Sequence, residues 1–150
     1  MDPALRPGDL LQPSRVLADD DAWDADLALL GGMTPGSLWG GGTVLATAAD
    51  KAALHRRSGA VAVDLESAAV ARAARRHGLP FAVVRAVCDP AERDLPPAAL
   101  VALDPAGRIG LMGVLASVLA HPRQLPALLA LGADAARARR ALSLWVRERA

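Results

Sequence analysis

The stretch AVAVDLESAAVARAARRHGLPFAVVRAVCD, residues 60–89, holds the reading on which the fold turns. Ala60 to Val63 is short, apolar and valine-rich, the pattern of a strand covered on both faces. Residues 65–77 then read as a helix whose end is marked repeatedly: Arg75, Arg76 and His77 fall in its last turn, Gly78 suits the left-handed cap, and Pro80 forbids continuation. Phe81 to Val87 reads as another buried strand. The spacing predicts a strand-helix-strand unit with parallel strands and a right-handed crossover. Alanines at 68, 69, 71, 73 and 74 keep the helix side chains short, so that it can lie close on the sheet.

Outward from this unit the pattern is less regular. Gly8 to Leu17 reads as a strand with an edge position or break at Pro13, and Asp19 to Asp21 as an exposed turn. GGMTPGSLWGGG, residues 31–42, is glycine-rich enough to predict a loop or wide hairpin. No Lys-Ser or Lys-Thr follows it, which rejects a P-loop. Thr43 to Ala48 reads as a strand, and Asp50 as the N-cap of a helix through Arg57. Beyond Asp89, DPAERDLPPAALVALDPAGR reads as a proline-punctuated surface loop, followed by helices over residues 109–120 and 124–140 with His121-Pro122 between them.

Composition bounds the class. The 150 residues are 53% hydrophobic and 22% charged, enough for one core in a single compact unit. Seventeen basic against sixteen acidic side chains give a formal charge of +1, which supplies no overall field for nucleic acid. The single cysteine, Cys88, excludes an intrachain disulfide and multi-cysteine metal sites, and fits a reducing, cytoplasmic setting. The amino-terminal residues do not read as a signal peptide, and the apolar run from Ile109 to Ala120 is too short to span a bilayer.

The chemistry-bearing residues are carboxylates at strand ends. Asp64 and Glu66 follow one predicted strand and Asp89 the other, and parallel sheets collect ligands at the carboxyl ends of their strands. An ionised Glu66 in the first turn of its helix has only acceptors and can receive two neighbouring hydroxyls, such as a ribose diol. Asp89 follows a strongly apolar strand, a setting that would favour the protonated form a general acid needs. Both acids also have a purely structural reading, as a first-turn carboxylate and as a turn initiator before Pro90.

At these residues, VDLESAAVARAARRHGLPFAVVRAVCD resembles the region of purine nucleoside phosphorylases and adenosylhomocysteine or methylthioadenosine nucleosidases that runs from a ribose-binding Met-Glu to a catalytic Ser-Asp. DPALRPGDLL, TAADKAALHRRSGAVAVDLES, DPAERDLPPAAL and HPRQLPALLAL extend the likeness to the hopanoid-associated phosphorylases, thought to release adenine from adenosylhopane. The resemblance implies a three-layer α/β fold with a mixed, partly parallel sheet, ending in two or more helices. It begins within the family's sequence, so the chain is expected to be truncated at its amino-terminal side and to lack the nucleophile's half of the pocket. It implies that Glu66 binds the ribose diol, that Leu65, in place of methionine, lies against the sugar, and that Asp89 protonates purine N7. Cys88 stands where the family has serine. Thr47-Ala48-Ala49 stands in place of a Ser-Gly-Asp-like segment near the base, and no stacking aromatic is evident. No cofactor is implied. Phosphate is a co-substrate if the reaction is phosphorolysis, with water as the alternative nucleophile.

Other readings stay open. Glu66 and Asp89 could serve an O-glycosidase, Cys88 could be a nucleophile with His55, His77 or His121, or the chain could be a non-catalytic binding or assembly subunit. The expected partners are a small-molecule nucleoside and further copies of the chain in a homo-oligomer. The C-terminal helices, with Leu125, Leu128, Leu129 and Leu131 ahead of Arg137, Arg139, Arg140, Arg147 and Arg149, either pack with a solvated charged end or touch an apolar aglycone or an anionic membrane surface.

Overall fold

The computed structural model describes residues 1–30, 34–102 and 111–149. Its strands are β1 (Leu10–Leu11), β2 (Pro13–Ala18), β3 (Asp21–Asp24), β4 (Thr34–Trp39), β5 (Ala60–Val63) and β6 (Arg85–Ala86). Its helices are α1 (Ala48–Ser58), α2 (Ser67–His77), α3 (Pro97–Ala102), α4 (Leu111–Ala120) and α5 (Leu125–Arg147). The main sheet has the order β3-β2-β4-β5, antiparallel between β2 and β3 and parallel from β2 through β4 to β5. A separate antiparallel pair joins β1 to β6. The mixed, partly parallel α/β architecture expected from the sequence is therefore present.

Its centre differs from expectation. The glycine-rich segment carries β4: residues 34–39 lie between β2 and β5, so their backbone groups find partners on both sides despite the weak intrinsic strand preference. Residues 43–46, expected as a strand, have no regular structure. Thr47, rather than Asp50, caps α1: its hydroxyl oxygen accepts from the Asp50 N–H at 3.1 Å. The predicted long strand over Phe81 to Val87 shrinks to Arg85–Ala86, which pairs with β1 and not with β5. Its extended backbone is satisfied by the amino-terminal segment, with Gly8 N–H donating to Val87 O at 2.8 Å and Val87 N–H to Asp9 O at 2.9 Å. The first expected strand divides into β1 and β2, with Pro13 opening the second.

Helix α2 ends as predicted, with Gly78 at φ 63°. It begins at Ser67, and only part of its alanine surface meets the core: Ala68 and Ala71 are buried while Ala69 and Ala73 are exposed. Ala68 and Ala71 pack with Val16, Leu38, Trp23 and Val83. Arg72 and Arg75 lie over the Trp23 ring, at 5.7 and 5.2 Å from its centroid, fastening α2 to the β2-β3 hairpin. Beyond Asp89 the expected surface loop is partly built in: Pro90 and Pro96 are buried, and α3 follows. Helices α4 and α5 meet at His121-Pro122, bent by 107°, and neither alone is long and apolar enough to cross a membrane. The first residues of the predicted α4 helix, 109 and 110, lie outside the described residues.

Gly40 sets how closely α2 approaches the sheet. Its carbonyl accepts from Ala68 N–H at 2.8 Å, and a Cβ at this position would stand 2.6 Å from that same nitrogen. The Gly40→Ala chain is expected to lose about 1–3 kcal/mol of stability in urea unfolding, because the obstructing atom is backbone and cannot turn aside. An unchanged unfolding midpoint would contradict this packing.

Candidate functional site

A cavity of about 280 Å³ lies between β5, the segment leading out of β6, the amino-terminal residues and α1. Its apolar wall includes Leu11, Leu38, Val61, Val63 and Val87, and its polar groups are Lys51, Asp64, Arg85, Cys88 and Asp89, with Asp2 at the amino-terminal side. The volume falls just below the range of small-molecule pockets, roughly 300–1,000 Å³, and suits a single ring system better than an extended ligand. The exposure of β5 to this cavity explains why only Ala60 of that strand is buried, against the expectation of two covered faces.

Asp64 is placed by backbone first. Its N–H donates to Trp39 O at 2.8 Å, extending the β4-β5 ladder by one residue. Its carboxylate then accepts from the Ser67 N–H at 3.0 Å and from the Ser67 hydroxyl, so Asp64 supplies the carboxylate that meets the amino end of α2. Arg85 crosses from β6 to donate Nε to Asp64 Oδ2 and Nη2 to Glu66 Oε2, the latter at 3.2 Å. Glu66 itself is not among the residues lining the cavity, and its side chain is 67% exposed. Leu65 is likewise exposed and outside the lining. Thr47 also stands outside the lining, and its hydroxyl is committed to α1, donating to Asp50 Oδ2 at 2.6 Å.

Asp89 and Cys88 do line the cavity. Asp89 Oδ2 accepts from Lys51 Nζ, and the lysine is only 3% exposed. Lys51 also donates to Pro90 O at 3.1 Å and Arg93 O at 2.7 Å. The other carboxylate oxygen, Asp89 Oδ1, is buried with no hydrogen-bond partner among the described residues. The sequence expectation of an acid among apolar groups alone is corrected here: the strand before Asp89 is apolar, but a buried cation from α1 reaches it from another element. Asp89 also comes to the cavity by a different route, out of an antiparallel pair rather than from the end of a parallel neighbour of β5.

Cys88 is exposed as a residue and is also among the residues that line the cavity. Loss of solvent pushes the thiol pKa up, and the neighbouring Asp89 carboxylate pushes in the same direction. A thiol held in its protonated form is a poor nucleophile, which weighs against the cysteine-nucleophile reading. His55 is occupied elsewhere, with Nδ1 2.8 Å from Ala60 O. No cluster of metal-ligating side chains occurs among the described residues.

Two site residues escaped the sequence reading, and each carried a signal. Lys51 is the only lysine among seventeen basic residues. Arg85 is the one charge inside the otherwise apolar run from Phe81 to Val87, and a charge in a buried run marks a partner.

A family model described as the phosphorylase superfamily matches residues 32–104. No curated protein matches the chain. Among solved structures, the futalosine hydrolase of Helicobacter pylori, a mutant form, aligns with a TM-score of 0.57 at 17% identity, covering 97% of this chain and 63% of that one. The 5′-methylthioadenosine/S-adenosylhomocysteine nucleosidase of the same organism, solved with butyl-thio-DADMe-Immucillin-A, gives 0.57 at 17% identity, covering 96% and 62%. The corresponding nucleosidase of Colwellia psychrerythraea, in complex with adenine, gives 0.52 at 22% identity, covering 61% and 51%. The chain thus shares the fold of these nucleosidases while spanning about half to just under two thirds of their length.

Alkylation of Cys88 by iodoacetamide is expected to be slow at neutral pH and to keep rising beyond pH 9.0, the ordinary value from which this thiol is raised. The sign follows from the thiolate being the reacting form: a raised pKa leaves less of it at any given pH. Asp89→Asn removes one of the causes and should speed the reaction. A rate that levels off below pH 9.0 would show that the thiol is not held up.

Proposed function

We propose that the cavity binds the base of a purine nucleoside and that the chain belongs to the phosphorylase superfamily, acting on the N-glycosidic bond. The observation that carries this reading is the state of Asp89, a residue lining a largely apolar, ring-sized cavity: one carboxylate oxygen is held by Lys51, and the other is buried with no hydrogen-bond partner among the described residues. A buried oxygen with no partner is costly, and the edge of a purine offers the complement it lacks. The phosphorylase-superfamily match over residues 32–104 and the nucleosidase fold support the same class of ligand.

In this reading Asp89, ion-paired to Lys51 at rest, takes a proton on its other oxygen as the base binds and gives it to purine N7 as the C1′–N9 bond breaks. The bonding electron pair passes to the base, which leaves neutral, and Asp89 is left as a carboxylate. The oxocarbenium carbon takes phosphate as a co-substrate, or water, which gives up a proton to the solvent as the C1′ hydroxyl forms. Glu66 receives the 2′ and 3′ hydroxyls from its exposed position beside Arg85, and Leu65 lies against the sugar. Cys88 forms the small wall next to the acid.

The narrower reading is adenine release from an adenosyl compound such as adenosylhopane. Besides the sequence likeness, its support is an apolar surface on α4 and α5, where Leu115, Leu119, Leu125 and Leu129 are exposed and a long apolar 5′ substituent or a membrane face could rest. A second copy of the chain completing the pocket belongs to the same proposal. So does the alternative of a binding or assembly subunit without turnover.

Calorimetry with adenine and adenosine on the 150-residue chain tests the reading. Asp89→Asn should weaken both ligands by about 10- to 100-fold, the worth of a hydrogen bond to a charged group. Glu66→Gln should weaken adenosine by a similar factor and leave free adenine nearly unchanged, since only the nucleoside carries the diol. Equal binding of both ligands by the parent and Asp89→Asn chains would sink the assignment. Adenine release from adenosine, with and without phosphate, then separates phosphorolysis from hydrolysis and both from binding alone.

A further inference from the structure

The reading of Asp89 leaves the lysine behind it unexplained. Lys51 sits in the first turn of α1, is 3% exposed, and is the only lysine in a chain whose other basic side chains are all arginine. An ammonium group has three N–H donors on one atom, and three acceptors converge on this one: Asp89 Oδ2, Pro90 O and Arg93 O. All three acceptors belong to Asp89 and the turn after it. The same turn is fastened to the start of α1 twice more, by Ala48 N–H donating to Asp94 Oδ1 at 2.7 Å and by Leu95 N–H donating to Ala46 O at 2.8 Å. From the other side, the Arg93 guanidinium reaches buried Asp134 of α5.

We propose that Lys51 is the positioning residue for Asp89: it occupies Oδ2 and clamps the following turn, so that Oδ1 is the oxygen left for the ligand. When Asp89 passes its proton to the base, the lysine also balances the carboxylate charge left behind. The identity of the ligand rests on the purine reading above, whereas the pairing and its orienting effect do not. Arginine would serve poorly, because its planar fork spreads donors over several atoms where the three acceptors meet at one point.

The unique lysine makes the test direct. Protein grown with isotope-labelled lysine gives one side-chain ammonium signal, that of Lys51. In Asp89→Asn this signal should shift and its protons should exchange with water about tenfold faster or more, as expected of a lost charge-assisted hydrogen bond. Adenine should move the signal in the parent chain and leave it in place in Asp89→Asn, a response that a lysine with a merely structural role would not give. In calorimetry, Lys51→Met should weaken adenine by about tenfold or more, and Lys51→Arg should not recover it. Lys51→Met/Asp89→Asn should bind no worse than Asp89→Asn alone, because the lysine acts through the aspartate. Where Lys51→Met does not fold, the double variant removes both charges together and carries that comparison.

An unchanged lysine signal in Asp89→Asn would overturn the proposal, as would a further loss of adenine binding on adding Lys51→Met to Asp89→Asn. A parent chain that binds no adenine would remove the purine reading, and the lysine signal would still decide the pairing.

Discussion

The convergence of three acceptors on the ammonium of Lys51 is the constraint around which the cavity is organised. Burying a lone cation is prohibitively costly, so a lysine that is 3% exposed requires every one of its donors to be met. That demand fixes Asp89, Pro90 and Arg93 relative to α1, and so fixes the segment that leaves β6. Because β6 is only two residues long, its pairing with β1 could not hold this segment unaided. Removing either partner alone leaves a buried charge uncompensated, which costs far more than losing one partner of an exposed salt bridge.

What could be read from the sequence follows from how local each signal is. The end of α2 was legible because its cap, its basic last turn and the following proline all act within a few residues. The short strand β5 was legible from its apolar run, and the break between α4 and α5 from His121-Pro122. Strand β4 was not, because its stability comes from lying between two neighbours rather than from its own glycine-rich residues. The length and partner of β6 were hidden for a related reason: an apolar run announces burial but not the direction of pairing, and the amino-terminal segment took the place that a parallel neighbour was expected to fill.

The candidate site divides along the same line. Asp89 and Asp64 were visible as acids at strand ends, and both line the cavity. Glu66 was visible too, but the side chain that meets the amino end of α2 is that of Asp64, and Glu66 is drawn outward to Arg85. Lys51 lies 38 residues from its carboxylate partner, a separation that no local pattern reports. Its only trace is compositional, as the single lysine where arginine serves everywhere else.

Charge pairing around the cavity bears on what it can recognise. Asp89 is matched by Lys51, Asp64 and Glu66 share Arg85, and Asp134 behind the turn is matched by Arg93 and Arg137. With both cationic side chains of the lining, Lys51 and Arg85, engaged by carboxylates, the cavity presents little net field, in keeping with the near-neutral charge of the whole chain. On the proposed reading, selection there comes from shape and from individual hydrogen bonds more than from net charge. An anionic nucleophile would have to compete with carboxylates for Lys51 or Arg85, at the cost of unpairing a buried or half-buried acid.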